Sequence, residues 1–190
     1  MVNELLALGA DANADVHILF GAIHAVDGGA NPDLVATLIA AGADVQAKRY
    51  QLQTPLHVVC LYHNREAKKA VAVAKLLISK GALVDAKDDR GERPLDYALN
   101  VHSDRATLLA LKRALAKCLL RAGAATTGLA DDLKESPAKT LVELVIKRGG
   151  WKKYALWHKQ VLVGLVTKCQ PMPVDAAGLV VDFYCPSGGS

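Results

Sequence analysis

His57 and Cys60 stand three residues apart in Thr54-Pro55-Leu56-His57-Val58-Val59-Cys60, a spacing that puts an imidazole and a thiol on one face of a helix. A thiolate activated by such a neighbour is the nucleophile of acyl transfer. The rest of the chain does not support that chemistry. It has no Gly-rich phosphate loop, no HExxH and no Gly-x-Ser-x-Gly, and Asp131-Asp132 lies in a loop that implies no pocket. Cys60, Cys118, Cys169 and Cys185 form no CxxC pair, so neither a zinc site nor a disulfide framework is indicated. They read as reduced thiols of a cytoplasmic or nuclear protein, with Cys60 and Cys118 as small core residues. The expectation is a chain with no catalytic residues, no metal, no cofactor and no small-molecule substrate.

A different chemistry is written in Lys147-Arg148-Gly149-Gly150-Trp151-Lys152-Lys153-Tyr154, followed by Trp157, His158 and Lys159. Bases interleaved with aromatics can stack on nucleobases and neutralise phosphates, or lie on an anionic membrane. The plainer reading is a helix with its aromatics inward and its lysines solvated. Nucleic-acid or anionic-membrane binding through Lys147, Arg148, Lys152, Lys153 and Lys159 therefore stands as the alternative function. The net charge of +4 hides a gradient behind this patch. Residues 1–47 hold six acids and no Lys or Arg, residues 48–133 fifteen bases against nine acids, and residues 134–190 eight against four. No secretory signal and no run of 18 uncharged apolar residues is visible.

The elements that must position these residues repeat. Leucine-rich stretches run into Gly9-Ala10, Gly42-Ala43, Gly81-Ala82 and Gly123-Ala124. Twelve residues after each of the first three glycines stand Gly21-Ala22-Ile23-His24, Thr54-Pro55-Leu56-His57 and Arg93-Pro94-Leu95-Asp96. A constant offset inside a variable total places the insertions between that tetrapeptide and the next Gly-Ala. Gly ends a helix by taking the left-handed conformation. The alternating residues after it reach turn formers such as Asp88-Asp89-Arg90-Gly91, an extended hairpin arm. Thr54 then caps a new helix, with Pro55 at its first position. Each unit reads as hairpin, helix, turn, helix.

Thr54-Pro55-Leu56-His57, followed by Ala74-Lys75-Leu76-Leu77-Ile78-Ser79-Lys80-Gly81-Ala82, resembles the signature of the ankyrin-repeat family, and the resemblance covers about residues 3–134. It implies an all-α solenoid of helix-turn-helix units with short hairpin arms. It also implies a concave protein-binding face made of inner helices and hairpin tips. The resemblance further assigns His24 and His57 to hydrogen bonds that tie neighbouring units. In the third unit Asp96 takes the histidine's place, altering such a bond. Cys60 then falls on a small apolar packing position.

The expected organisation has repeats over 1–134, a helical pair closing the stack over 135–170, and an extended tail over 171–190. The first unit opens inside an outer helix, the mark of a fragment or of a helix that a partner covers. Outer helices lengthened to 65–80 and 104–121 begin at Asn64 and Ser103. The closing pair spans 137–148 and 151–169, with Trp151, Tyr154, His158, Val161, Leu162, Leu165 and Cys169 at helical spacing. The apolar run Gly178-Leu179-Val180-Val181-Asp182-Phe183-Tyr184 either lies on the stack or adds a strand to a partner.

The leading function is protein–protein interaction, as an adaptor or a non-catalytic subunit of a larger assembly. Lys48-Arg49-Tyr50-Gln51-Leu52 and Lys87-Asp88-Asp89-Arg90 project as hairpin tips. Tyr and Arg are favoured at binding hot spots. Arg49, Tyr50, Gln51, Lys87, Asp89 and Arg90 are the candidate contacts, joined by Tyr62, His63, Asn100 and His102 of the inner face.

Overall fold

The structure, a computed structural model, describes residues 4, 6, 8–15, 17–24, 31–61, 67–100, 106–127 and 139–169. Among them no residue is in a strand. They form two compact units, divided after Lys139.

The first unit stacks helix pairs. α1 (His17–His24), α3 (Pro55–Leu61) and α5 (Pro94–Leu99) are the inner helices. α2 (Pro32–Ala40), α4 (Ala67–Ser79) and α6 (Ala106–Arg121) are the outer ones. Inner packs on inner and outer on outer along the chain, with each pair also packed on itself. Small apolar side chains allow this close approach: Ala70, Val73, Ala74 and Leu77 of α4 and Leu115, Ala116 and Leu119 of α6 have no exposed surface. Each large aliphatic side chain so buried contributes about 1.5–3 kcal/mol.

The outer helices end alike. Gly42 (φ +93°), Gly81 (φ +90°) and Gly123 (φ +95°) are left-handed. The amides of Ala43, Ala82 and Ala124 reach back to Leu38, Leu77 and Leu119 at 2.9, 3.0 and 3.0 Å. These are Schellman ends, and the buried alanine after each glycine seals them. The outer helices lengthen along the stack, from 9 to 13 to 16 residues, which agrees with insertions placed in one connection. Asn64 and Ser103 lie outside the described residues.

The first unit departs from the expected register. α3 and α5 begin thirteen residues after Gly42 and Gly81, but α1 begins eight after Gly9 (17 − 9). Gly21-Ala22-Ile23-His24 is therefore the end of a helix and not its start. The connection from Gly9 to His17 is shorter than those that precede α3 and α5, and Leu19, Phe20, Ala22 and Ile23 are the buried residues of α1. His24, at the C-terminal end of α1, is exposed, whereas His57 is buried.

The second unit contains α7 (Lys139–Lys147) and α8 (Trp151–Cys169), joined by Gly149 (φ +74°) and Gly150 (φ +110°). Two successive left-handed residues fold this turn, and glycine adopts both without a Cβ penalty. The 171–190 tail with its apolar run, and the side chains of Leu162, Leu165 and Cys169, lie outside the described residues.

Candidate interaction surface

One position of the repeat ties successive units together. Asn13, Gln46 and Asp85 each stand four residues after a helix-ending glycine. The Asn13 amide donates to the Gly42 carbonyl at 2.8 Å, and its oxygen accepts from the Asp44 amide at 2.8 Å. Gln46 repeats this with Gly81 (2.7 Å) and Leu83 (3.3 Å). Asp85 has no donor, and its carboxylate accepts from the Ala125 amide at 2.9 Å.

His57 makes a second tie. Thr54 Oγ1 lies 2.8 Å from its Nδ1, and the Thr54 amide donates to the same nitrogen at 3.2 Å. Nδ1 is thus the acceptor, and Nε2–H donates to the Glu92 carbonyl of the next unit at 3.1 Å. Thr54 meets the imidazole at the opening of the helix. Burial holds the His57 pKa below its ordinary value, against the pull of the Glu92 carbonyl and the Asp88 charge. Cys60 is fully buried and its thiol is pushed up to about 12, chiefly by burial. A thiol so raised, near an imidazole whose two nitrogens are already engaged, is not an activated nucleophile.

The third unit replaces Thr and His with Arg93 and Asp96. The Asp96 carboxylate accepts from the Arg93 amide at 2.7 Å and from its Nε at 3.1 Å. Arg93 Nη1 then donates to the Ala125 carbonyl at 3.1 Å. The altered bond is still a tie to the following unit.

These ties hold the bases of the hairpin tips. The first tip is closed by the Arg49 amide on the Gln53 carbonyl, and the second by the Asp88 amide on the Glu92 carbonyl, both at 3.0 Å. A side-chain relay joins them. Arg49 Nη2 donates to Gln53 Oε1 (2.8 Å), Gln53 Nε2 to the Tyr97 hydroxyl (2.9 Å), and that hydroxyl to Asp88 Oδ2 (2.7 Å). Asp88 Oδ1 accepts from the amides of Arg90 and Glu92. Burial disfavours the Asp88 charge, but the bonds from Tyr97, Glu92 and Arg90 outweigh it and hold the carboxyl below its usual range. Burial and the Asp88 carboxylate push the Tyr97 phenol up to about 12. Lys112 of α6, itself buried, donates to the carbonyls of Cys60 (2.6 Å) and Tyr97 (2.7 Å) and fastens the last turns of α3 and α5.

On this fixed base the candidate contacts divide. Arg49 is half-buried, with its guanidinium on Gln53 and 5.5 Å from the Phe20 ring centroid, so it supports the tip and does not crown it. Tyr50 is 82% exposed. Gln51 (φ +62°) and Leu52 (φ +56°) are consecutive left-handed residues that are not glycine. Lys87, Asp89, Arg90 and Asn100 are exposed, the first three at the second tip and Asn100 at the end of α5. Tyr62, His63 and His102 lie outside the described residues. Leu52 (49% exposed), placed in the projecting tip but not among the candidate contacts, and Leu83 (62% exposed) are further exposed apolar residues. Leu52 stands between Gln51 and Gln53, and an apolar residue between polar ones in a turn was the available signal there.

In the second unit Lys147, Arg148, Lys152 and Lys153 are exposed and Lys159 is half-exposed. Trp151, Tyr154, Trp157 and His158 are half-buried along α8. Tyr154 lies 5.4 Å from Trp151, 6.1 Å from Trp157 and 5.6 Å from His158. Arg148 lies 4.1 Å over the Trp157 ring.

A family model described as ankyrin repeats, in three copies, matches residues 22–123, which is 102 of the 190 residues. No curated protein matches the chain.

Proposed function

The chain belongs to the ankyrin-repeat family, and from that premise we propose that it is an adaptor or a non-catalytic subunit that grips one protein partner through its first hairpin tip. Ankyrin repeats are in general protein–protein interaction modules. In this reading Tyr50 and Leu52 are the apolar anchors. Lys48, Lys87, Asp89 and Arg90 form the charged surround, and Arg49 and Gln53 hold the loop.

One observation carries the reading. Gln51 and Leu52 keep left-handed backbone at about 1–2 kcal/mol each, and the conformation leaves Tyr50 in solvent instead of packing it. Strain that returns no burial within the molecule is characteristic of a surface shaped for contact. Its base is fixed by the Arg49–Gln53–Tyr97–Asp88 relay, so little ordering remains to be done on binding.

Affinity capture from the native source tests this, with wild type beside a Tyr50→Ala/Leu52→Ser variant. A stoichiometric protein retained by wild type and lost by the variant is the expected result. A stoichiometric protein retained equally by both moves the interface off the tip and rejects the reading.

A further inference from the structure

The second unit carries a surface that the hairpin tips do not use. Residues 147–159 hold Lys147, Arg148, Lys152, Lys153 and Lys159 and no acid, five positive charges in thirteen residues. Lys152, Leu156 and Lys159 follow the i, i+4, i+7 spacing of one helix face, and Lys153 flanks them. Leu156 is 60% exposed in the middle of this stripe. Ile146, 45% exposed, adjoins Lys147 at the end of α7.

Three occupants suit a cationic face: nucleic acid, an acidic protein, or an anionic lipid surface. Single-stranded nucleic acid needs ring faces free for base stacking. Here the rings are already engaged: Tyr154 packs among Trp151, Trp157 and His158, and the Arg148 guanidinium covers Trp157. What the surface offers beside its charges is aliphatic. Exposed leucine and isoleucine between lysines gain little on a phosphate backbone, but they enter the boundary between headgroups and acyl chains. Among the described residues no helix is long and apolar enough to cross a membrane, so the helix would lie on the surface.

We infer that the exposed face of α8, with the end of α7, is a docking surface for anionic phospholipid membranes. Lysine and arginine supply the attraction, and Leu156 and Ile146 supply shallow insertion. Each base near an anionic leaflet strengthens partitioning about fivefold.

The test is co-sedimentation of the full chain with phosphatidylcholine vesicles containing about 30% phosphatidylserine, enough to carry a negative surface potential, and with vesicles of phosphatidylcholine alone. Binding only to the anionic vesicles, released by salt at about 0.5 M where screening is nearly complete, is expected. Lys152→Glu/Lys153→Glu should weaken partitioning by at least about thirtyfold. Leu156→Ser should weaken it about tenfold. Circular dichroism of both variants should match wild type, because the three residues are exposed. Tyr50→Ala/Leu52→Ser should bind vesicles like wild type, which separates this surface from the tip. Equal binding to both vesicle types, no binding, or undiminished binding by the lysine variant would overturn the inference. So would binding of a single-stranded oligonucleotide, lost in the same variant, without vesicle binding.

Discussion

The Asp89 amide donates a 3.0 Å hydrogen bond to the Gln51 carbonyl, so the two hairpin tips are joined through their backbones at their outer ends. Gln51 is itself left-handed. The bond therefore links the strained residue of one tip to the turn of the next, above the side-chain relay that ties their bases.

If the strain at Gln51 serves contact and not folding, relieving it should not harm the fold. Gln51→Gly is expected to leave the unfolding free energy unchanged within about 0.5 kcal/mol, or to raise it, as relieved strain offsets added chain entropy. Gly91→Ala is expected to cost about 1 kcal/mol. Gly91 is left-handed at φ +78° and an added Cβ would meet nothing within 4 Å, so the penalty is in the backbone alone. Urea unfolding of the two variants decides. A loss above about 1 kcal/mol for Gln51→Gly would make the loop's side chain structural.

The ties made by Asn13, Gln46 and Asp85 make a graded prediction. Gln46→Ala removes a side chain that grips both Gly81 and Leu83 and is expected to cost about 1–2 kcal/mol. Asp85→Asn adds the donor that Asn13 and Gln46 possess, and is expected to be neutral or to stabilise by up to about 1 kcal/mol. Chemical denaturation measures both, and an Asp85→Asn loss as large as that of Gln46→Ala would contradict the shared role.

His57 predicts a pH dependence. Its folded-state pKa lies below the value of about 6.5 in the unfolded chain, so folding favours the neutral ring. The contribution is complete above about pH 6.5 and is lost as pH falls through that value toward the folded-state pKa. Asp88 acts in the same direction at lower pH, because its folded-state pKa is also lowered. The urea midpoint should fall from pH 7.5 toward pH 5 (roughly the span in which histidine titrates), and His57→Gln should flatten that slope while lowering overall stability.

Lys112 is a buried cation held only by carbonyls among its described bonds. Lys112→Ala removes the packing and leaves the carbonyls of Cys60 and Tyr97 without that donor, an expected loss of about 3 kcal/mol. Lys112→Met keeps the volume and avoids burying a charge, so it should recover much of that loss. Because burial lowers the Lys112 pKa, the wild type should gain stability relative to Lys112→Met as pH rises toward 10. Thermal unfolding of the pair across that range reads the difference.

Much of this was legible from residue spacing. The glycines after Leu38, Leu77 and Leu119 marked the helix ends because a left-handed residue is needed there, and the structure supplies that φ at each. Pro55 and Pro94 marked the starts of α3 and α5 for an equally local reason. Two features were misjudged or missed because their causes are not local. Gly21-Ala22-Ile23-His24 matched the offset, yet α1 starts earlier because its register follows the burial of Leu19, Phe20, Ala22 and Ile23 and not the spacing from Gly9. Nothing beside Lys112 in the chain shows that two carbonyls 52 and 15 residues away converge on its amine. At the tip, turn chemistry marked Tyr50, while the place of Arg49 over Phe20 joins residues far apart in the chain, which local spacing does not show.

The most direct test of the central claim is the dissociation constant of the captured partner for Tyr50→Ala, measured beside Lys80→Ala on the outer side. A hot-spot tyrosine accounts for about 2 kcal/mol or more, so at least about thirtyfold weaker binding is expected. Lys80→Ala should match wild type, with the unfolding midpoint unchanged in both variants. Wild-type affinity in Tyr50→Ala would contradict the account and leave the strained tip without a function.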